Sequence, residues 1–166
     1  AVASTISKII ELNVVETVII PYIILSALAG AITWNLITWI SGLPTSSSHA
    51  LIGGLAGAGL SAAGIAAIKW TTVEVVAFFM VVSPLIGLAC GFVFMAIILN
   101  LTRRANKERA EHYFKRLQLC SAAAYSFSHG TNDAQKTMGI ILPLLFSIGY
   151  YGAGVDPNHL PVPLWV

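Results

Sequence analysis

Long runs of apolar residues alternate with short polar segments along the chain. Residues 18–40 form the first run. As a helix it would be about 34 Å long, which is enough to cross a hydrocarbon core of about 30 Å. A glycine-rich run covers residues 50–68, and a third apolar run covers residues 73–99. This pattern predicts membrane-crossing helices joined by short polar connections.

Two of these runs carry residues that affect helix packing. Gly53 and Gly57 have the GxxxG spacing that lets helix backbones approach closely. Pro84 follows Ser83 inside the third run, where a proline removes a backbone hydrogen bond and predicts a kink.

A fourth apolar run, residues 117–151, is interrupted by a polar segment at residues 128–133. As one helix it would extend about 52 Å, too long for a single crossing of about 30 Å. We therefore expect two half-helices with a break at the polar segment, where Gly130 supplies backbone freedom. Such a break is tolerated only where protein or a wet cavity satisfies the freed backbone groups.

A second polar segment separates the first run from the second. Pro44 ends the preceding helix, and four consecutive hydroxyl residues follow it: Thr45, Ser46, Ser47 and Ser48. Ser and Thr are favoured N-caps, and a helix N-terminus presents free N–H groups and a positive dipole end to an anion. An ordinary helix cap at the membrane surface is an equally weighted alternative. The sequence leaves open whether this segment belongs to a re-entrant hairpin or to a broken crossing helix.

The composition is that of an integral membrane protein. The chain is 57% hydrophobic and 10% charged, with a mean hydropathy of +0.81, whereas soluble domains carry about 25% charged residues. Six of the nine basic residues fall within residues 102–116, a basic loop expected in the cytoplasm. The predicted fold class is an all-α integral membrane protein, a polytopic helical bundle with discontinuous helices that are broken or re-entrant.

An aspartate and an asparagine lie in the polar segment of the fourth run, and a lysine follows it. Asp133 costs roughly 2.5–3.5 kcal/mol at the middle of a spanning helix, so such residues usually face an ion path. Asp133 and Asn132 supply oxygen ligands for a hard monovalent cation, or Asp133 carries a proton. Lys136, one turn further on, neutralises Asp133 or contacts an anion. A purely structural Asp–Lys pair is the alternative.

Other chemistry is poorly supported by the sequence. His129, Asp133 and His49 are too few for a zinc site, and no aligned nucleophile and base indicate a catalytic triad. Phosphate-cradling and dinucleotide loops are absent from the sequence. Cys90 and Cys120 are expected to be buried free thiols. We therefore predict a protein that is not an enzyme, has no cofactor or resident metal, and does not bind nucleic acid.

At its two polar segments the chain resembles the inorganic phosphate transporter (PiT) family. Residues 128–139 resemble the family's SHGANDAQKTMG element, with Thr131 in place of alanine. Residues 44–50 resemble its Pro-x-Ser-x-Thr-His element, with Ser48 in place of threonine. Family members contain two inverted repeats, and each repeat carries both motifs.

The resemblance implies that the chain is an internal fragment across the repeat junction. It would divide into the end of the first repeat (1–68), a spanning helix (69–101), the basic cytoplasmic loop (102–116) and the start of the second repeat (117–166). The absence of an initial Met and the apolar stretch at residues 162–166 agree with a fragment.

The implied function is cation-coupled phosphate symport by alternating access in a multi-pass protein of a bacterial inner membrane. The implied phosphate-binding residues are Thr45, Ser46, Ser47, Ser48, Asn132 and Lys136. Asn132 and Asp133 would bind the coupling cation, Na⁺ or H⁺. The expected partners are phosphate, the cation, the lipid bilayer and the remainder of the same transporter chain, with a homodimer left open. Alternatives are a transporter of another oxyanion such as sulfate, a membrane-embedded hydrolase, or a non-transporting structural module.

Overall fold

The computed structural model of the chain describes residues 2–152, 155–157 and 160–163, and within these ranges it is helical without a β-strand. Three residues of the expected final apolar stretch, 164–166, lie outside the described residues. The helices are α1 (Val2–Ser7), α2 (Ile20–Ile40), α3 (Ser47–Ala63), α4 (Trp70–Thr102) and α5 (Lys107–Ser147), and a short 3₁₀ turn (Ile65–Ala67) follows α3.

The two most apolar helices fulfil the length requirement for crossing a membrane. α2 and α4 contain 21 and 33 residues and are apolar enough to span a bilayer. The predicted helices at residues 18–40 and 73–99 are therefore confirmed. α4 continues through Pro84, which lies inside the helix.

The chain divides into two compact units. One contains Ala1–Val73 and Asn132–Val166, and the other contains Glu74–Thr131. The first unit holds the hydrophobic core, formed by residues before α2 together with one face each of α2 and α3. In the second unit, α4 buries none of its residues, so an apolar helix surface faces outward along its whole length.

Close packing of α2 on α3 depends on Gly54 rather than on the predicted GxxxG pair. A Cβ atom at Gly54 would lie 2.5 Å from the carbonyl oxygen of Ala27, whereas one at Gly53 or Gly57 would meet nothing within 4 Å. The close approach predicted at Gly53 and Gly57 is not made with the described residues of this chain. Gly53 and Gly57 border an open groove, because the contact with α2 is made at the neighbouring residue, Gly54.

The segment before α2 is part of the hydrophobic core. Ile9 and Ile10 are buried, and Ile10 pairs in an antiparallel bridge with Ile68. The ammonium of Lys69 lies 3.7 Å from the carboxylate of Glu11 beside this bridge. These contacts connect the N-terminal segment to the turn after α3.

α5 is one continuous helix, so the break expected at residues 128–133 is absent. The helix starts ten residues before the apolar run, in the basic segment that was expected to be a loop. Local interactions satisfy the polar segment without a break: the Thr131 hydroxyl donates to the Phe127 carbonyl at 2.8 Å, and Lys136 pairs with Asp133. A single Gly130 costs a helix only about 1 kcal/mol relative to alanine.

Within the first unit, the C-terminal part of α5 makes another close approach, to α1. A Cβ atom at Gly139 would lie 2.8 Å from Cβ of Ile6 and 2.9 Å from the carbonyl oxygen of Ala3. Leu142 and Leu145, on the next turns, are buried. Residues just beyond Lys136 are thus held against α1.

The two kinds of glycine in α3 provide a direct test of this packing. Gly54→Ala is expected to lower the thermal unfolding midpoint in detergent, because overpacking a tight contact costs about 1–3 kcal/mol. Gly57→Ala is the matched control. It is expected to leave the midpoint unchanged or raise it, because alanine is the better helix former. Equal effects of the two substitutions would show that α2 and α3 do not meet at Gly54.

Candidate functional site

The turn between α2 and α3 sets up a capped helix N-terminus. α2 ends at Ile40, and Gly42 adopts a positive φ of 67° that reverses the chain. Ser46 has extended backbone angles and its hydroxyl oxygen accepts a hydrogen bond from the His49 N–H at 3.4 Å. The prediction that the hydroxyl run caps the helix that follows it is confirmed, with Ser46 as the N-cap of α3.

A groove of about 390 Å³ opens beside this N-terminus; we call it the Ser46 groove. Its volume is in the range of small-molecule sites. Of the four predicted hydroxyl residues, Thr45 and Ser46 line the groove, whereas Ser47 and Ser48 are not among its lining residues. The full lining consists of Gly30, Trp34, Thr45, Ser46, His49, Ala50, Gly53 and Gly54.

Trp34 and His49 were not among the predicted site residues, yet both line the groove. For His49 the signal was its place in the first turn of α3. For Trp34 only the pairing of α2 with α3 reveals the proximity, because its sequence position is ten or more residues away.

The groove offers hydrogen-bond donors without a fixed negative charge. An α-helix leaves its first N–H groups without intrahelical acceptors, which here applies to Ser47 and Ser48. Ser46 and Thr45 add hydroxyls, and the positive end of the α3 dipole lies at the same place. Because none of the described residues that line the Ser46 groove is a carboxylate, the arrangement is chemically suited to an oxyanion.

The Ser46 groove continues along the two helices. A second groove of about 460 Å³ shares Gly30, Gly53 and Gly54 with it and extends toward Ser26 and Ser61. Gly53 and Gly57 thus line an elongated groove on the surface of the α2–α3 hairpin. The groove is open because these residues have no side chains to fill it.

Asn35 is a polar residue of this hairpin that sequence reasoning missed. It follows Ala31 by one turn on the buried stripe of α2, and its Oδ1 atom is buried without a hydrogen-bond partner among the described residues. A buried acceptor of this kind usually has a partner in a complete protein. The sequence feature that could have identified Asn35 is its spacing of four residues from Ala31, which places both residues on the same face of α2.

On α5, the predicted cation ligand Asp133 forms a local ion pair with Lys136. The Lys136 ammonium lies 2.5 Å from Oδ1 of Asp133, one turn away. The side chain of Asp133 is 48% exposed and that of Lys136 is 21% exposed. Asn132 is exposed on the preceding position. Since the helix is continuous here, its backbone carbonyls are engaged, and a cation would depend on side-chain oxygens.

The described contacts do not bring the two predicted halves of the site together. The Ser46 groove is formed by α2, α3 and their connection. Asn132, Asp133 and Lys136 lie on α5, and none of these three residues lines that groove. Across the described residues, no group of three or more His, Cys, Asp or Glu side chains is placed to hold a metal ion.

The two cysteines are exposed, although the sequence predicted that they would be buried. Cys90 on α4 and Cys120 on α5 are free thiols, but both are exposed rather than buried. The reason is that each lies on a helix surface that packs against little of this chain.

Comparison with known proteins gives a consistent result. The sequence matches the Phosphate transporter family over residues 1–108 and 100–166. It is 47% identical to a probable low-affinity inorganic phosphate transporter of Rhizobium meliloti (strain 1021) over 90% of this chain and 43% of the relative. A protein of the same description from Bacillus subtilis (strain 168) is 41% identical over 87% of this chain and 42% of the relative.

A solved structure shares the fold. The protein described as "The sodium-dependent phosphate transporter" superimposes with a TM-score of 0.74 and 26% sequence identity, covering 99% of this chain and 57% of that one. The chain spans less than half the length of the two curated relatives. The chain has two apolar helices long enough to span a membrane, matches the family over residues 1–108 and 100–166, and shares the fold of the solved structure. It is therefore a membrane protein that belongs to the phosphate transporter family.

Proposed function

We propose that this chain is part of a multi-pass transporter of a bacterial inner membrane that carries inorganic phosphate together with a cation. Both bacterial relatives are named as inorganic phosphate transporters. The observation that carries the proposal is the Ser46-capped N-terminus of α3, which opens into a groove without acidic residues. The remainder of the same transporter chain completes the site.

Phosphate binds at the Ser46 groove in this proposal. The hydroxyls of Thr45 and Ser46, which line the groove, donate hydrogen bonds to its oxygens. The free N–H groups and the dipole at the N-terminus of α3 favour its charge. Hydrogen bonds from neutral donors hold the anion without a permanent counter-charge. This balance allows release as well as binding, which a transporter requires.

The cation binds at Asp133, with Asn132 as a second oxygen ligand. Before binding, Lys136 neutralises Asp133 through the observed ion pair. A pair this exposed contributes little, about 0.2–0.5 kcal/mol for neighbours on a helix surface, so a cation can replace it. The displaced ammonium of Lys136 is then available to phosphate. The solved relative is named as sodium-dependent, which favours Na⁺ over H⁺ as the coupling ion.

Coupling follows from this exchange of partners. The cation neutralises Asp133 and frees Lys136, and each effect favours the anion. By thermodynamic linkage, phosphate must then favour the cation by the same factor. Transport by alternating access requires the α5 site and the Ser46 groove to meet in the assembled transporter, through contacts with residues outside this chain.

Asp133→Asn in the full-length transporter is expected to abolish cation-driven phosphate accumulation, because the side chain loses its charge but keeps its size. Radiolabelled phosphate uptake into proteoliposomes under separate Na⁺ and pH gradients measures this. The matched control is Glu111→Gln, which removes a carboxylate outside the proposed site. Undiminished uptake by Asp133→Asn would refute the role of Asp133, and uptake driven only by the pH gradient would identify H⁺ as the cation.

Substitution of the cap separates phosphate binding from helix stability. Ser46→Asp retains a side chain that caps α3 as well as serine does, but it places a negative charge at the proposed anion site. We expect the apparent phosphate affinity to fall at least tenfold, since a close like charge costs more than about 1.4 kcal/mol at low effective dielectric.

Ser46→Asn is the neutral control, because asparagine is also a good cap. It is expected to change the phosphate affinity far less than Ser46→Asp in the same uptake and binding assays. Equal behaviour of the two variants would place phosphate elsewhere. Inhibition of phosphate uptake by excess sulfate, with affinity equal to that of phosphate, would instead indicate a general oxyanion transporter.

A further inference from the structure

The connection from α4 to α5 carries a concentrated positive charge that the proposed transport site does not use. Six basic residues and two acidic ones occur within 17 residues, and all of their side chains are exposed. We call this the basic segment, residues 101–117. Its charged residues are Arg103, Arg104, Lys107, Arg109, Lys115 and Arg116, with Glu108 and Glu111.

The basic segment begins where an apolar span ends. α4 ends at Thr102, and Arg103 and Arg104 follow immediately. Asn106 then caps α5, with its Oδ1 atom accepting from the Glu108 N–H at 3.0 Å. Because the turn is this short, the first basic residues lie within a few residues of the hydrocarbon-facing part of α4.

The first turns of α5 are amphipathic. Ala110, Tyr113, Phe114 and Leu117 follow the spacing of one helix face. Tyr113 is 65% exposed, Phe114 is 41% exposed and Leu117 is 59% exposed. The basic residues of this helix flank the apolar stripe or lie opposite it.

The acidic residues neutralise only part of the charge. Glu111 pairs with Lys115 at 2.8 Å. The described hydrogen bonds and ion pairs of this segment leave Arg103, Arg104 and Lys107 without a carboxylate partner. This segment places cations and exposed aromatic residues next to the end of a spanning helix. At an anionic membrane surface, the cations would meet the headgroups and the aromatic residues would meet the edge of the acyl chains.

We propose that the basic segment binds the phosphate groups of anionic phospholipids, with Arg103, Arg104 and Lys107 as the principal contacts and with Tyr113 and Phe114 inserted at the interface. This inference depends only on the membrane insertion of α4 and not on the proposed transport function. Lipid is favoured over free phosphate because a soluble anion would use the charges alone, whereas the exposed apolar stripe needs an apolar neighbour.

The chain reconstituted in phosphatidylcholine bilayers tests the proposal. Trace spin-labelled phosphatidylglycerol and spin-labelled phosphatidylcholine report the relative association of each lipid with the protein. At low salt the wild-type chain is expected to prefer phosphatidylglycerol several-fold. The preference is expected to weaken at high salt, since screening shortens the reach of surface charges to a few ångströms.

Two sets of variants give opposite predictions. Replacing Arg103, Arg104 and Lys107 with Gln is expected to remove most of the preference and bring the association of the two lipids close to equal. Replacing Glu108 and Glu111 with Gln is expected to increase it. Unchanged association of labelled phosphatidylcholine shows that each variant is still inserted in the bilayer.

Three outcomes would overturn the proposal. The first is an equal association of both lipids with the wild-type chain. The second is a preference that survives replacement of the three basic residues. The third is loss of the preference in inorganic phosphate but not in chloride of the same ionic strength, which would assign the basic segment to free phosphate.

Discussion

A membrane-spanning helix must satisfy its backbone hydrogen bonds internally, because the hydrocarbon core offers no other partner. This constraint accounts for the continuity of α4, one of the two candidate spans. α5 also runs unbroken through its polar residues, where Thr131 bonds to the preceding turn and Asp133 pairs with Lys136. Polar groups that the helices do not satisfy are then conspicuous, and they occur at the N-terminus of α3 and at Asn35.

The same constraint relates the site to the fold. α3 starts at Ser47 because Ser46 caps it, and the capped N-terminus lies beside the Ser46 groove. Gly54 brings α2 against α3, while Gly53 leaves space beside the contact. One pair of adjacent glycines therefore provides both the tight packing of the hairpin and the open floor of the groove.

Helix positions and the capped hydroxyl run could be predicted from the sequence, because both follow from local patterns. The continuity of α5 could not, since the length argument assumed that a helix does not extend beyond the hydrocarbon core, whereas α5 runs unbroken over 41 residues. The packing role of Gly54 was missed because spacing alone does not say which of two adjacent glycines faces a neighbour. The contribution of Trp34 to the groove depends on how α2 and α3 pair, which no local pattern contains.

The exposed apolar surface of this chain has a simple physical explanation. α4 buries none of its residues, and an all-apolar helix is stable only in lipid or against other helices. The relatives are more than twice as long as the part that this chain matches. We infer that lipid and the remaining helices cover α4, and that those helices also supply the surroundings of Asp133 and the Ser46 groove.

The most direct test is the phosphate dissociation constant of the full-length transporter, measured by titration calorimetry at several Na⁺ concentrations, with the reverse titration of Na⁺ at several phosphate concentrations. The account predicts that each ligand strengthens the binding of the other by the same factor. A phosphate affinity that is independent of both Na⁺ and pH would contradict it.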